Sequence, residues 1–328
     1  MAKVLITTVP FGKEDRYPLD ILESSGVEYT INPLNRKLTE EELVDQVGDA
    51  EVIIAGTEPI TEQVMAAANK LRHISRVGIG LDSVDLLAAE RRGIMVSYTP
   101  DAPSPAVADL TIGLMISLLR SVHIANDSMH NGRWQRYFGR RLGDVTIGII
   151  GVGRIGTRVI RRLKGFNCPK ILSNDLNPNQ SFGDSYGLVW TSKKDIYRHA
   201  DIISLHVPLT SKTRNMISQQ DLLSMKPDAL LINTSRGGIV NEEDLFNVMS
   251  NGHLCGAAMD VFEQEPYEGP LRGIERCLLT SHMGSMTVDC RLKMEREATE
   301  EAMRFIAGET LKSKVPDEEY LAQREEII

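Results

Sequence analysis

Two series of short apolar, β-branched runs, separated by polar or amphipathic stretches, fill most of this chain. This alternation constrains the fold more than any other feature. The first series is VLITT (Val4 to Thr8), VEYTI (Val27 to Ile31), EVIIAG (Glu51 to Gly56), HISRVG (His73 to Gly78) and IMVSY (Ile94 to Tyr98). The second is VTIGII (Val145 to Ile150), KILSND (Lys170 to Asp175), ADIISLHVP (Ala200 to Pro208), ALLINTS (Ala229 to Ser235), CGAAMDVF (Cys255 to Phe262) and CLLTSH (Cys277 to His282). Strand-helix alternation with near-continuous apolar strands predicts α/β architecture, with parallel sheets covered by helices on both faces. A length of 328 residues favours two such domains, each doubly wound. The first series ends near PDAPSP, Pro100 to Pro105, whose prolines do not fit inside a helix or a central strand. The six runs of the second series match a dinucleotide-binding sheet in number and order.

The intervening segments carry helix signals. Thr39 followed by Glu42 makes a capping box at TEEELVDQVGD. AVADLTIGLMISLLRSVHIANDSMHNG has apolar residues on too many faces for a surface helix, so one long buried helix is expected there. VDCRLKMEREATEEAMRFIAGE reads as a charged amphipathic helix, followed by a polar tail. LTIGLMISLL, Leu110 to Leu119, is shorter than the roughly 20 residues of a membrane span, so no membrane partner is expected. The balance of 37 basic against 45 acidic side chains, a net charge of −8, argues against nucleic acid as a partner. Cys168, Cys255, Cys277 and Cys290 are scattered without metal-ligand spacing, so reduced thiols and no metal are expected. The N-terminal MAKVLITTVP lacks the pattern of an export signal, and the cytosol is the expected compartment.

GIIGVGRIGTRVIRRLKG, Gly148 to Gly165, contains G-x-G-x-x-G, a weak signal when isolated. Here Gly151, Gly153 and Gly156 directly follow a strand, and the residues from Arg154 onward open a helix. Gly151 permits the tight turn, Gly153 lets the backbone approach a pyrophosphate, and Gly156 lets helix and strand pack closely. The helix N-terminus then faces the phosphates. Asp175 ends the next strand, 24 positions after Gly151, near the spacing of about 20 expected of the residue that reads the ribose. A carboxylate there accepts hydrogen bonds from the 2′-hydroxyl and repels a 2′-phosphate, so NAD is favoured over NADP. Arg158, Arg161 and Arg162 read as the solvated helix face, whereas Arg154 lies in the turn itself.

In an open α/β sheet the site lies beyond the carboxyl ends of the strands. Those ends carry SRGG (Ser235 to Gly238), DVFEQEP (Asp260 to Pro266) and SHMGS (Ser281 to Ser285). Arg236 offers a planar fork for a carboxylate and can polarise a carbonyl. His282 can exchange a proton with a hydroxyl or ketone near neutral pH. Glu265 can orient the imidazole and stabilise its protonated form. Singly, such residues are ordinarily surface ion pairs or structural groups. Their occurrence at three successive strand ends points to a site for hydride transfer at an alcohol carbon.

These motifs, with VGIGLDSVDLLAAERRGI from Val77, VADLTIGLMISLLR from Val107, HVPLTSKTRNMI from His206, INTSRGGIVNEEDL from Ile232, AAMDVFEQEP from Ala257 and TSHMGS from Thr280, resemble the D-isomer-specific 2-hydroxyacid dehydrogenase family along nearly the whole chain. The resemblance implies the catalytic roles of Arg236, Glu265 and His282. It implies cofactor contacts at Arg154, Ile155, Asp175, His206, Pro208, Thr234, Ser235, Asp260 and Gly284, with Asp260 near the nicotinamide amide. It also implies that Val77, Gly78, Ile79 and Gly80 offer backbone N–H groups to the substrate carboxylate. It further implies a Rossmann domain, residues 99–288, inserted into a flavodoxin-like substrate domain, residues 1–98 plus 289–328, with the long helix after Pro105 supporting a homodimer. The expected partner is a small 2-hydroxy or 2-keto acid.

Two departures from the family pattern bear on substrate identity. Pro103 stands where many relatives have Asn, with Asp109 in place of the usual Glu, and Ser281 stands where Pro commonly precedes the histidine. A phosphorylated substrate calls for a further basic group, for which Arg72, Arg76 and Arg133 are candidates. The regulatory domain of longer phosphoglycerate dehydrogenases is not expected in a chain of this length. Two other readings stay open: an NAD(H)-binding sensor or corepressor-like protein of the same fold, and an enzyme oxidising formate or phosphite. Glu265, where formate dehydrogenases of this kind place Gln, disfavours formate.

Overall fold

A computed structural model describes residues 2–327. The chain divides into two compact units, Met1–Pro103 with Met286–Ile328, and Ser104–Ser285. The first unit opens with β1 (Lys3–Ile6), α1 (Tyr17–Ser24), β2 (Glu28–Ile31), α2 (Glu40–Val47), β3 (Val52–Ala55), α3 (Glu62–Ala67), β4 (His73–Arg76), α4 (Leu86–Arg91) and β5 (Met95–Tyr98). Its strands form one parallel sheet in the order β2-β1-β3-β4-β5, the flavodoxin-like doubly wound arrangement. All four residues of β3 are buried, as a strand covered by helices on both faces requires. The capping box of α2 forms as its sequence predicts: Thr39 Oγ1 accepts the Glu42 N–H and Glu42 Oε2 accepts the Thr39 N–H.

The second unit runs α5 (Ser104–Leu119), α6 (Val122–His130), β6 (Thr146–Ile150), α7 (Arg154–Leu163), β7 (Lys170–Asn174), α8 (Gln180–Tyr186), β8 (Leu188–Trp190), α9 (Lys193–His199), β9 (Ile202–Leu205), α10 (Gln219–Ser224), β10 (Leu230–Asn233), α11 (Glu242–Ser250), β11 (Gly256–Met259) and β12 (Cys277–Leu279). Its sheet, in the order β12-β11-β10-β9-β6-β7-β8, is parallel throughout. It has seven strands where the sequence predicts six. The added strand, β8, has three residues and pairs with β7 from Ile171↔Leu188 to Ser173↔Trp190. Both β7 and β9 flank β6, so the strand order reverses there and a crevice opens beyond the carboxyl ends of β6 and β9.

The single long helix expected after Pro105 is instead two helices, α5 and α6, bent by 66°. Ser121 at the break adopts a left-handed conformation, φ 50°. The returning chain takes up the released carbonyl: the Arg140 N–H donates to Leu119 O at 3.2 Å. Gly139 allows that approach, since a Cβ there would lie 2.2 Å from the same oxygen. Pro105 falls in the first turn of α5, where its missing N–H costs nothing. Among the described residues no single helix is long and apolar enough to cross a membrane.

The chain returns to the first unit through α12 (Val288–Ile306) and α13 (Asp317–Ile327). The tail is more ordered than its polarity suggests. Lys314 forms an antiparallel bridge to Ser97 at the edge of β5, and buried Glu301 accepts the N–H groups of Lys312 and Ser313.

One buried group of this unit makes its stability pH-dependent. The His73 ring stacks on Phe305 of α12, centroids 4.8 Å apart, and its Nε2 meets Ser97 Oγ at 2.9 Å. Burial pushes its pKa down to about 3. The unfolded chain, with His near 6.5, therefore binds the proton first, and the stabilisation is complete above about pH 6.5 and is lost as pH falls toward 3. We expect destabilisation of up to about 1.4 kcal/mol per pH unit from this one group. Thermal unfolding at pH 7 and pH 5 checks it; His73→Gln should flatten the dependence, and an identical slope in that variant would refute the assignment.

Candidate active site

The glycine-rich turn leaves β6 at the point where the strand order reverses. Gly151 has φ +92°, and a Cβ on it would sit 2.4 Å from His206 O at the end of β9. A Cβ on Gly156 would lie 2.1 Å from Gly151 O, so helix and turn touch backbone to backbone. Gly153, the N-cap of α7, has nothing within 4 Å of a Cβ position and no side-chain cap. Among the described residues the N–H groups of Arg154, Ile155 and Gly156 find no protein acceptor. Open space over Gly153, bounded by unpaired N–H groups at the positive end of a helix, fits a pyrophosphate. Asp175 stands beside the turn: Oδ2 accepts the Val152 N–H at 2.7 Å and Oδ1 the Asn177 N–H at 2.8 Å. Both oxygens retain lone pairs for ribose hydroxyls. Arg162 of the same helix pairs with Asp109, and Arg161 lies over the Phe182 ring, so both serve packing on the helix face.

Residues after β9 and β10 form the next wall. His206 Nε2 meets Ser204 Oγ at 2.9 Å, and burial of the ring pushes its pKa down to about 3, so it is neutral at working pH. Pro208 O accepts from Thr213 Oγ1. Thr234 Oγ1 bonds Thr111 Oγ1 of α5, while Ser235 Oγ donates to Leu205 O. Asn233, which sequence reasoning passed over, staples the turn that presents Arg236. Its Oδ1 accepts the Ser235 N–H at 3.1 Å and its Nδ2 donates to Arg236 O at 2.8 Å. A polar side chain closing an apolar strand, Asn233 in ALLINTS, is the signal that could have found it. Arg236 Nη1 donates to Ser235 O at 2.7 Å.

Parallel register brings the ends of β10, β11 and β12 level, with Asn233 opposite Met259 and Met259 opposite Leu279. Arg236, Glu265 and His282 therefore project from three adjacent strand ends. Glu265 and His282 are in contact: His282 Nδ1 lies 2.9 Å from Oε2 and 3.1 Å from Oε1. Glu265 Oε1 also accepts the Phe262 N–H at 3.1 Å. His282 itself is left-handed, φ 53°, and buried Asp260 holds that conformation. Asp260 O accepts the His282 N–H at 2.8 Å. Its carboxylate accepts Thr280 Oγ1 at 2.6 Å, the Met283 N–H at 2.7 Å and the Gly284 N–H at 2.8 Å. One side chain thus organises the whole SHMG loop, which sequence reasoning had viewed only as a nicotinamide contact.

In the first unit the four residues of the Val77 to Gly80 loop are not equivalent. The Val77 N–H donates to Ala55 O and the Gly78 N–H to Thr99 Oγ1, both at 2.8 Å. The N–H groups of Ile79 and Gly80 find no acceptor among the described residues. Of the arginines considered for a phosphate, Arg72 lies over the Phe305 ring and Arg133 pairs with Asp127, whereas Arg76 is buried against Val77 O. Among the described residues no cluster of His, Cys, Asp or Glu is arranged to hold a metal ion.

Fold and site together define a Rossmann dinucleotide-binding domain that presents a histidine–carboxylate pair at its strand ends. Residues 112–284 match the family described as "D-isomer specific 2-hydroxyacid dehydrogenase, NAD binding domain". The chain belongs to the D-isomer-specific 2-hydroxyacid dehydrogenase family, and its second unit is an NAD-binding domain. A D-3-phosphoglycerate dehydrogenase of Methanocaldococcus jannaschii is 35% identical over 322 residues, 96% of this chain and 59% of the relative. The chain thus spans little more than half the length of that relative. A glyoxylate reductase of Korarchaeum cryptofilum is 32% identical over 305 residues, 90% of this chain and 89% of the relative. The crystal structure of an Aquifex aeolicus D-lactate dehydrogenase complexed with NAD and lactic acid superposes with a TM-score of 0.81 at 25% identity, covering 93% of this chain and 96% of that one.

Proposed function

We propose that this chain is an NAD-dependent dehydrogenase that interconverts a D-2-hydroxyacid and its 2-keto acid. The observation that carries the reading is the contact of His282 Nδ1 with Glu265 Oε2 at 2.9 Å, at a strand end of the NAD-binding sheet. Bound NAD supplies the hydride acceptor. An ionised carboxylate only accepts hydrogen bonds, so Glu265 keeps the imidazole proton on Nδ1 and leaves Nε2 able to take the hydroxyl proton. The same carboxylate stabilises the imidazolium, which returns the proton in the reductive direction. Arg236 grips the substrate carboxylate with its fork and polarises the adjacent oxygen. The first unit is the substrate domain in this reading, with Ile79 and Gly80 as its backbone donors, and the second is the cofactor domain.

The reading includes a cytosolic homodimer. Val122, Met129, Trp134 and Phe138 lie on or just after α6 and are exposed, Trp134 by 82%, which supports a second copy covering this segment. Sedimentation of the purified chain tests it.

Cofactor preference follows from Asp175. Asp175→Asn keeps an acceptor for the Val152 N–H but removes the charge that repels a 2′-phosphate. The preference for NADH over NADPH in kcat/KM should fall about 10- to 100-fold, the worth of a charged hydrogen bond. An unchanged ratio would remove Asp175 from ribose recognition.

The relatives' names set the substrate panel: NADH oxidation with glyoxylate, hydroxypyruvate, pyruvate, branched and aromatic 2-keto acids, and 3-phosphohydroxypyruvate. Turnover of one or more supports the dehydrogenase reading. Tight NADH binding with no turnover on any of them overturns it in favour of a sensor or another donor.

A further inference from the structure

The loop between β11 and the short turn Pro270–Gly273 carries Glu265. Its peptide at Phe262–Glu263 is fixed from three sides. Gly237 packs against it so closely that a Cβ would lie 1.9 Å from Phe262 C. The Glu263 carboxylate pairs with Arg214 Nη1 at 2.7 Å. The Glu263 N–H donates to Oε1 of Glu242, the first residue of α11, at 2.7 Å. Two residues beyond that bond stands Glu265, which holds the imidazole. Glu242 is half-buried, and burial, followed by the neighbouring carboxylates of Glu263 and Glu265, pushes its pKa up.

We propose that Glu242 is a positioning residue for the acid–base pair, holding the Glu265 loop through the Glu263 N–H. This rests on the dehydrogenase reading only for its kinetic consequence.

The test compares Glu242→Gln, which keeps an acceptor oxygen without the charge, with Glu242→Ala, which loses both. In glyoxylate or hydroxypyruvate reduction, Glu242→Ala should lower kcat about 10- to 100-fold with a smaller change in KM, and Glu242→Gln should recover most of that loss. Equal kcat losses in the two variants, or no loss in Glu242→Ala, would overturn the proposal. Failure of the wild-type chain to reduce any keto acid would instead count against the dehydrogenase reading alone.

Discussion

Replacing His282 with Asn is expected to lower kcat by about 10²- to 10⁴-fold in both reaction directions, the contribution of a general acid–base group. In the proposed reading Gly151 to Gly156 and Asp175 hold NAD, and among the described residues none of them bonds His282, so NADH affinity should remain within about twofold. The wild-type pH profiles sharpen the test. Hydroxyacid oxidation requires an imidazole able to accept a proton, so its rate should fall at acid pH. Keto-acid reduction requires the imidazolium and should fall at alkaline pH. Stopped-flow and steady-state rates across pH, with Glu265→Gln in parallel, check both limbs. One shared limb in the two directions, or limbs that survive in His282→Asn, would remove His282 from the acid–base role.

Gly237→Ala should be nearly as damaging without touching a reacting group. The added methyl would meet Phe262 C at 1.9 Å, Phe262 O at 2.0 Å and Glu263 N at 2.3 Å, all backbone atoms that cannot rotate aside. Either the turn presenting Arg236 or the loop presenting Glu265 must move. Displacement of about 1 Å at such groups costs on the order of 10²-fold in rate, and overpacking costs about 1–3 kcal/mol of stability. We therefore expect kcat/KM to fall about 100-fold or more, a lowered Tm and intact NADH binding. Wild-type turnover would mean that the two loops are less tightly coupled than their backbone contact implies.

The parts of the site legible in the sequence were those encoded over short spans. Gly151, Gly153 and Gly156 could be assigned separate tasks because a strand precedes them and a helix follows, and each task has its counterpart in a backbone contact or an open space. Asp175 was singled out by spacing. Arg236, Glu265 and His282 were singled out because the strands they follow were visible as apolar runs. What escaped depends on contacts between distant residues. The carboxylate of Asp260 reaches Gly284 across 24 positions, Glu242 reaches Glu263 across 21, and neither spacing carries any local periodicity. Asn233 stood in plain view, but its bond to Arg236 O depends on a turn whose course the sequence does not specify. The break at Ser121 was missed for a related reason. The apolar pattern of α5 continues into α6, and only the returning chain at Gly139 and Arg140, which takes the Leu119 carbonyl, makes the bend favourable.

By itself the sequence determined the α/β class, the two doubly wound sheets and the glycine-rich turn of an NAD-binding domain, and it singled out three candidate groups at the strand ends, because period, turn chemistry and strand polarity act within a few residues. The tertiary structure alone decided the seventh strand, the bend between α5 and α6, which N–H groups of the Val77 to Gly80 loop stay open, and how His282 is held in its left-handed conformation. Those outcomes are set by hydrogen bonds that buried polar groups must complete, and the partners become available only after distant segments have packed.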